Sequence, residues 1–298
     1  MGCYAHYGHN IFSIFGAFMN NQNVVLTKIG STVSDISAFV TDVDHAGKAI
    51  TFGTGDSLYI GSVFPFNALY LRLLSTAVNN NTSVLTASFW DATAFTNFYS
   101  VVDGTILATA TLGKSGIVNI IAKDDKLPAR YDSRNITELG NIDGYYSLYW
   151  TKLTFSAALD AVTLLYVGQL FVEADTTIFK EYPDLAATPY LRVYGATKTE
   201  YLDQRIIATD RVISDLITMG QVITGEQFLD WRLMKEPTIH KTAELIYKAQ
   251  GIKYREDMLA ANKSYLHSLE SRKYGITKTG NILKGQEVYE RAPMGFYR

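Results

Sequence analysis

The chain has 298 residues, enough for one large domain or two ordinary ones. With 47% hydrophobic and 19% charged residues it falls outside the composition of disordered chains, and a formal net charge of −2 excludes a global attraction to nucleic acid or anionic membrane. Its single cysteine, Cys3, excludes an intramolecular disulfide and a cysteine-based zinc site.

In chain order, residues 1–23 read as an N-terminal arm. The opening MGCYAHYGHNIFSIFGAF lacks the basic region of a signal peptide, and His6 stands where a myristoylation motif requires Ser or Thr. Neither export nor acylation is expected. No apolar stretch reaches the roughly 18–20 residues of a membrane span.

From 24 to 173 the dominant period is two. In 67–74, Leu69, Leu71 and Leu73 point one way while Tyr70 and Arg72 point the other, which predicts a half-buried strand. Further strands are predicted over 84–90, 105–111, 116–121, 145–155 and 163–172. Turn signals separate them at Asn79-Asn80-Asn81, Asp103-Gly104, Lys114-Ser115-Gly116, Asp124-Asp125 and Asp143-Gly144. Short strands so punctuated predict an antiparallel β-sandwich or jelly roll. Pro65 lacks an amide donor and marks a break between strands, where Phe64 and Phe66 are expected to plug the end of the sandwich.

Residues 174–200, with Pro183 and Pro189 and no sustained period, read as a linker. From 201 to 273 the period becomes helical. Leu202, Ile206, Thr209, Ile213 and Leu216 or Ile217 fall on one face, with Asp203, Arg205, Asp210 and Arg211 largely off it, and Gly220 is the expected stop. A short helix start follows at 225–233 around Trp231. Pro237 suits the first turn of the next helix, whose Ile239, Ala243 and Ile246 face inward until Gly251. A last helix is predicted over 254–272 with Met258, Ala261, Tyr265 and Leu269 as its stripe. Residues 274–298 read as a C-terminal arm. The fold class expected is thus α+β and multidomain: a sandwich or jelly-roll-like domain, then a small α-helical domain, with extended arms at both ends.

No catalytic constellation is legible. His6 and His9 are three apart without a third ligand nearby, so no metal and no cofactor is expected. His240, beside Lys241 and Glu244 at a helix start, fits a surface or capping role. Asp42 with Asp44 and Asp124 with Asp125 are solvated loop doublets rather than a glycosidase pair. The glycines of GTGDSLYIG and LGKSG lack the Walker spacing and read as hairpin residues. Basic residues of the helical third, among them Arg205, Arg211, Arg232, Lys235 and Lys241, alternate with acids, the mark of a solvated or subunit-contacting face rather than a DNA groove.

Two stretches resemble proteins of tailed bacteriophages. GDSLYIGSVFPFNALYLRLLS, with VLTASFWDATAFTNFYSVVDGT, GKSGIVNI, YSLYWTKLTFS and LLYVGQLF downstream, is similar to a β-sandwich module of phage virion proteins. It departs from that pattern at Asp91-Ala92-Thr93-Ala94-Phe95, where the family usually carries Gly and a second Trp. RVISDLITMGQVITGEQFLDWRLMKEPTIHKTAELIYKAQGIKYREDMLAANKSYLHSLESRKYGI resembles the helical domain of head-to-tail adaptor proteins, the neck connectors beneath the portal.

The resemblance implies a non-enzymatic structural protein of the virion neck, made in the host cytoplasm. It implies a homo-oligomeric ring, commonly twelvefold, that contacts the portal protein and the next neck or tail component, lets double-stranded DNA pass through its lumen, and involves no membrane. The sandwich would project outward, decorating the neck or anchoring fibres or whiskers. Both arms lack a local fold, so neighbouring subunits are expected to hold them. Candidate interface residues are Phe12, Phe15, Phe18, Trp231, Tyr265, Tyr289, Phe296 and Tyr297. Trp231 is also expected to anchor the helical core, its truncation to alanine costing about 3–5 kcal/mol. Two rivals stand beside this reading. A host-glycan-binding or fibre-attachment protein would use exposed aromatics of the sandwich, with Tyr99, Tyr145, Tyr146 and Tyr149 as candidates; a tail-associated depolymerase would need an acid/base pair that the sequence does not offer.

Overall fold

The structure, a computed structural model, describes residues 23–63, 68–121, 128–140, 142–187, 198–218 and 231–270. The Phe64-Pro65-Phe66-Asn67 corner, the Asp124-Asp125 turn, Pro189, the Gly220 stop and, apart from Asn23, both arms lie outside these residues.

The described strands are β1 (Val24–Ile29), β2 (Thr32–Asp35), β3 (Lys48–Ile50), β4 (Ser57–Ser62), β5 (Ala68–Leu73), β6 (Leu85–Trp90), β7 (Phe95–Asn97), β8 (Ser100–Asp103), β9 (Gly116–Ile121), β10 (Arg130–Tyr131), β11 (Leu148–Phe155) and β12 (Val162–Gln169). They form two antiparallel sheets. One runs β2-β1-β4-β11-β6-β7 with β10 added on β11; the other runs β3-β12-β5-β9-β8. In the first, Thr151 of β11 lies opposite both Ile60 and Phe89. In the second, Leu71 of β5 lies opposite Val167 and Gly116.

The alternating pattern of the sequence sends one set of side chains from each sheet into a common cluster. Leu58, Ile60, Phe89 and Leu153 of the first sheet pack there with Leu69, Leu71, Val118 and Val167 of the second. β5 departs from the half-buried expectation. Its Leu69, Leu71 and Leu73 join that shared cluster, but Ala68 and Tyr70 on the opposite face are buried as well. What covers them is helical.

The helices are α1 (Ser37–Val40), α2 (Asp175–Glu181), α3 (Leu202–Thr218), α4 (Trp231–Ala249) and α5 (Arg255–Glu270). Leu202, Val212 and Leu216 of α3, Met234 of α4, and Tyr265 and Leu269 of α5 pack with Ala68, Tyr70, Ile117 and Tyr166 of the second sheet. The first sheet is covered on its outer face by loop 130–147, where Ile136 and Leu139 bury against Leu26, Tyr59 and Trp150. No described helix is long and apolar enough to cross a membrane.

Four local expectations are corrected. The segment 105–111 is no strand: it holds only isolated bridges from Ala110 to Ser83 and Leu107. Asp103 folds it back by accepting hydrogen bonds from the Thr105 amide (2.8 Å), the Thr105 hydroxyl (2.6 Å) and the Thr111 hydroxyl. Positive φ at Ala108 (55°) and Leu112 (54°) also takes the chain out of extended geometry. The segment 174–200 is more than a linker. It contains α2 and a 3-10 turn at Pro183–Ala186, and it buries Ile178 and Leu185 against Ile239, Ala243 and Ile246. Two helical turns are too short to show a period. Pro237 lies inside α4, which starts six residues before it at Trp231. The helix continues through the missing donor because Met234, Thr238 and Ala243 are buried on it, and Thr238 Oγ1 donates to Met234 O at 2.8 Å. Finally, Arg205 does not lie off the buried face of α3. It is 1% exposed.

The hairpin between β8 and β9 is tight enough to make a prediction. An added Cβ at Gly116 would stand 2.2 Å from the carbonyl oxygen of Gly104, a backbone atom that no rotamer change can move. Gly116→Ala is expected to destabilise the chain by about 1–3 kcal/mol or more. Urea unfolding checks it, and a midpoint equal to that of the parent chain would refute the clash.

Candidate functional site

Among the described residues, Arg205 is a charged side chain only 1% exposed, at the seam between the second sheet and α3. Arg205 Nη1 donates to the carbonyls of Val172 (3.0 Å) and Glu173, and Nη2 donates to Glu200 Oε2 at 3.0 Å. Its Nε stands 3.0 Å from Asp175 Oδ1 as an ion pair, without the alignment of a hydrogen bond. Glu200 Oε1 also accepts from Arg72 Nη2 of β5 at 2.6 Å. The network therefore ties the end of β12, α2, α3 and β5 together. Burial pushes the Asp175 carboxyl above its ordinary value of 3.8, against the opposing pull of Arg205 and the Tyr201 amide. The group acts as a clasp, in which each charged side chain faces an opposite charge within the fold.

A second polar node joins α2, α4 and α5. Tyr182, just past α2, lies with its hydroxyl 2.8 Å from Nδ1 of His240 on α4, and Ser264 of α5 hydrogen-bonds the same hydroxyl. Burial pushes the Tyr182 phenol up to about 12, so it stays protonated and can donate to a neutral imidazole. On the other side of the ring, Nε2 lies 3.8 Å from Glu236 of the same helix. Burial lowers the His240 pKa from 6.5, with Glu181 of α2 pulling the other way. The surface role expected from sequence is thus replaced by a half-buried one.

The unfolded chain takes up a proton at His240 more readily than the native chain, so stability is fully present above about pH 6.5 and is lost as pH falls through the lowered native value. His240→Gln is expected to flatten the decline in melting temperature between about pH 7 and pH 5.5. Equal slopes in the two proteins would refute it.

A further polar surface is formed by residues 130–140 and 142–147. Tyr146 is 53% exposed; its hydroxyl donates to Asp143 Oδ1 at 2.8 Å, and the Arg134 guanidinium lies 5.5 Å from its ring centroid. Tyr145 is half-buried and donates to Asp35 of β2. Tyr149 is buried at 4%, beneath the guanidinium of Arg130, so it leaves the set of exposed aromatics expected from sequence. Tyr99, at 62%, is exposed between β7 and β8 and is not part of this loop.

Of the expected interface residues, Phe12, Phe15, Phe18, Tyr289, Phe296 and Tyr297 lie outside the described residues. Trp231 opens α4, and its side chain lies outside the description as well. Tyr265 is corrected: it is 1% exposed, donates to Asp215 Oδ2 at 2.6 Å, and has Lys241 4.6 Å from its ring centroid. Its stripe position on α5 carries it into the chain's own core. The Arg205 clasp escaped sequence reasoning although a signal was there. Leu202, Arg205, Thr209, Val212 and Leu216 follow the alternating three-and-four spacing of a buried helix stripe, and all five are buried.

Among the described residues no group of three or more His, Cys, Asp and Glu is arranged to hold a metal ion. No known family, curated protein or solved structure matches the chain.

Proposed function

We propose that the chain is a non-enzymatic assembly protein. Within that class we read it as the head-to-tail adaptor of a tailed phage: a ring, commonly twelvefold, that docks on the portal protein and receives the next neck or tail component. In this reading the two sheets form an outward-facing sandwich, the helices line the ring, and the arms are held by neighbouring subunits. The observation that supports it is the fold of the stretch resembling the adaptor domain. Its described parts make three helices, α3, α4 and α5, whose apolar stripes pack against one another, against the second sheet and against α2 with the turn that follows it.

Because Tyr70, Tyr166 and Phe171 share their cluster with the helices, the test uses the full chain. Electron microscopy of the purified protein mixed with portal rings should show closed rings on the portal vertex. Deleting residues 1–20 or 275–298 should abolish ring formation while leaving the circular dichroism spectrum unchanged. Duplex DNA should bind no tighter than the non-specific range of about 10⁻⁴–10⁻⁶ M at physiological salt, since a lumen must let DNA slide. A trimer located at a tail tip would overturn the adaptor reading in favour of fibre attachment.

A further inference from the structure

We propose that residues 142–147, with Arg134 beside them, form a binding site for neutral carbohydrate, with the ring of Tyr146 as its stacking platform. The inference does not rest on the adaptor reading.

The first support is preorganisation. Beneath the loop, Ile136 and Leu139 are fully buried in the cluster with Tyr59 and Trp150. Ser133, also fully buried, donates to Ile142 O at 2.6 Å, and its amide donates to Tyr145 O at 2.9 Å. Ser147 is held at φ 56°, a strained value for a non-glycine residue, with its amide fixed on Asp132 Oδ1 at 2.8 Å. A platform fixed before the ligand arrives saves the ordering cost of binding. Tyrosine suits it, since a large ring is presented through only two rotatable bonds.

The second support is the chemistry around the ring. The Arg134 guanidinium lies 5.5 Å from the Tyr146 ring centroid, and the residue stays 53% exposed, so ring surface remains accessible to a ligand. Asp143 uses Oδ1 for the Gly144 amide and the Tyr146 hydroxyl, while Oδ2 accepts no bond among the described residues. Arg134 stands 3.6 Å from Asp132, so its guanidinium keeps donors for another partner. An apolar ring face flanked by a carboxylate acceptor and guanidinium donors matches a pyranose, with its axial C–H groups over the ring and its hydroxyls at the rim. A phosphate-bearing ligand is disfavoured because four carboxylates, Asp35, Asp132, Glu138 and Asp143, stand in the loop and its neighbour β2 against Arg130 and Arg134.

The experiment is saturation-transfer NMR on the intact chain. The probes are the methyl β-glycosides of glucose, galactose and N-acetylglucosamine, and the tetrasaccharides of β1,4-linked glucose and N-acetylglucosamine. At least one probe should bind with a Kd of about 1 mM. Tyr146→Ala, on an exposed side chain, should weaken it at least about tenfold, and Tyr146→Phe should retain part of the binding. Tyr99→Ala, which removes an equally exposed tyrosine elsewhere, should change nothing. The proposal fails if no probe receives saturation at about 20 mM, if Tyr99→Ala and Tyr146→Ala behave alike, or if only tetralysine, as a basic peptide probe, binds at Tyr146.

Discussion

Replacing Arg205 by alanine is expected to destabilise the chain by about 3–5 kcal/mol at neutral pH, the cost of leaving a buried charge without its partner. The side chain is 1% exposed and faces Asp175, itself only 12% exposed, so solvent cannot take over the lost interactions. Two carbonyls, those of Val172 and Glu173, lose their donor at the same time. The effect carries a pH signature. Even with Arg205 present, burial holds the Asp175 pKa above 3.8, so the native chain keeps this proton more tightly than the unfolded chain does. Asp175 therefore contributes most at acid pH, and its contribution declines as pH rises from about 3.8 through the raised native value. Without the guanidinium the native value rises further. The deficit of Arg205→Ala should accordingly be largest near pH 7 and shrink on acidification. The double variant Asp175→Asn with Arg205→Ala should cost clearly less than the sum of the single changes. Urea unfolding at two pH values measures all of this. A loss below about 1 kcal/mol, typical of an exposed pair, would show that the clasp is not a buried network.

That clasp also shows what a sequence period can and cannot carry. Alternation in 67–74 identifies β5 and the face that Leu69, Leu71 and Leu73 share. It is silent on whether water or a helix meets Tyr70, because a tyrosine is acceptable to both. The stripe Ala261, Tyr265 and Leu269 on α5 was legible for the same reason that β5 was: a regular element repeats its environment. Where the chain is organised by single side-chain bonds, no period exists to be read. Asp103 turns 105–111 away from strand geometry by three hydrogen bonds, and Ile178 docks α2 within two turns. The candidate surface behaved likewise. Residue type alone flagged Tyr146 and Tyr149 together, but Tyr149 sits in the ladder opposite Ser62 and Arg130 and is covered, whereas Tyr146 lies before the strand begins.

Trp150→Ala is expected to cost about 3–5 kcal/mol. The Trp150 indole is 1% exposed and lies across Gly61 on the neighbouring strand, where a Cβ would stand 3.0 Å from two of its ring carbons. The space that glycine leaves is filled by the ring, so truncation opens a void between β4 and loop 130–147 that rigid strands cannot close. Its Nε1 also donates to Tyr131 O at 3.1 Å, which pins β10, and Tyr131 in turn packs on Trp90 at 5.4 Å between centroids. Trp150→Phe should recover much of the packing but not this bond, costing about 1–3 kcal/mol for the unpaired carbonyl. Thermal and urea unfolding rank the two variants. Ile136 and Leu139 rest in the same cluster as the indole, so the platform that holds Tyr146 depends on a residue that the ligand never touches. Hydrogen exchange in loop 130–147 should therefore accelerate in Trp150→Ala more than in β12. Uniform acceleration across both sheets would instead mean that Trp150 supports the whole core rather than this loop.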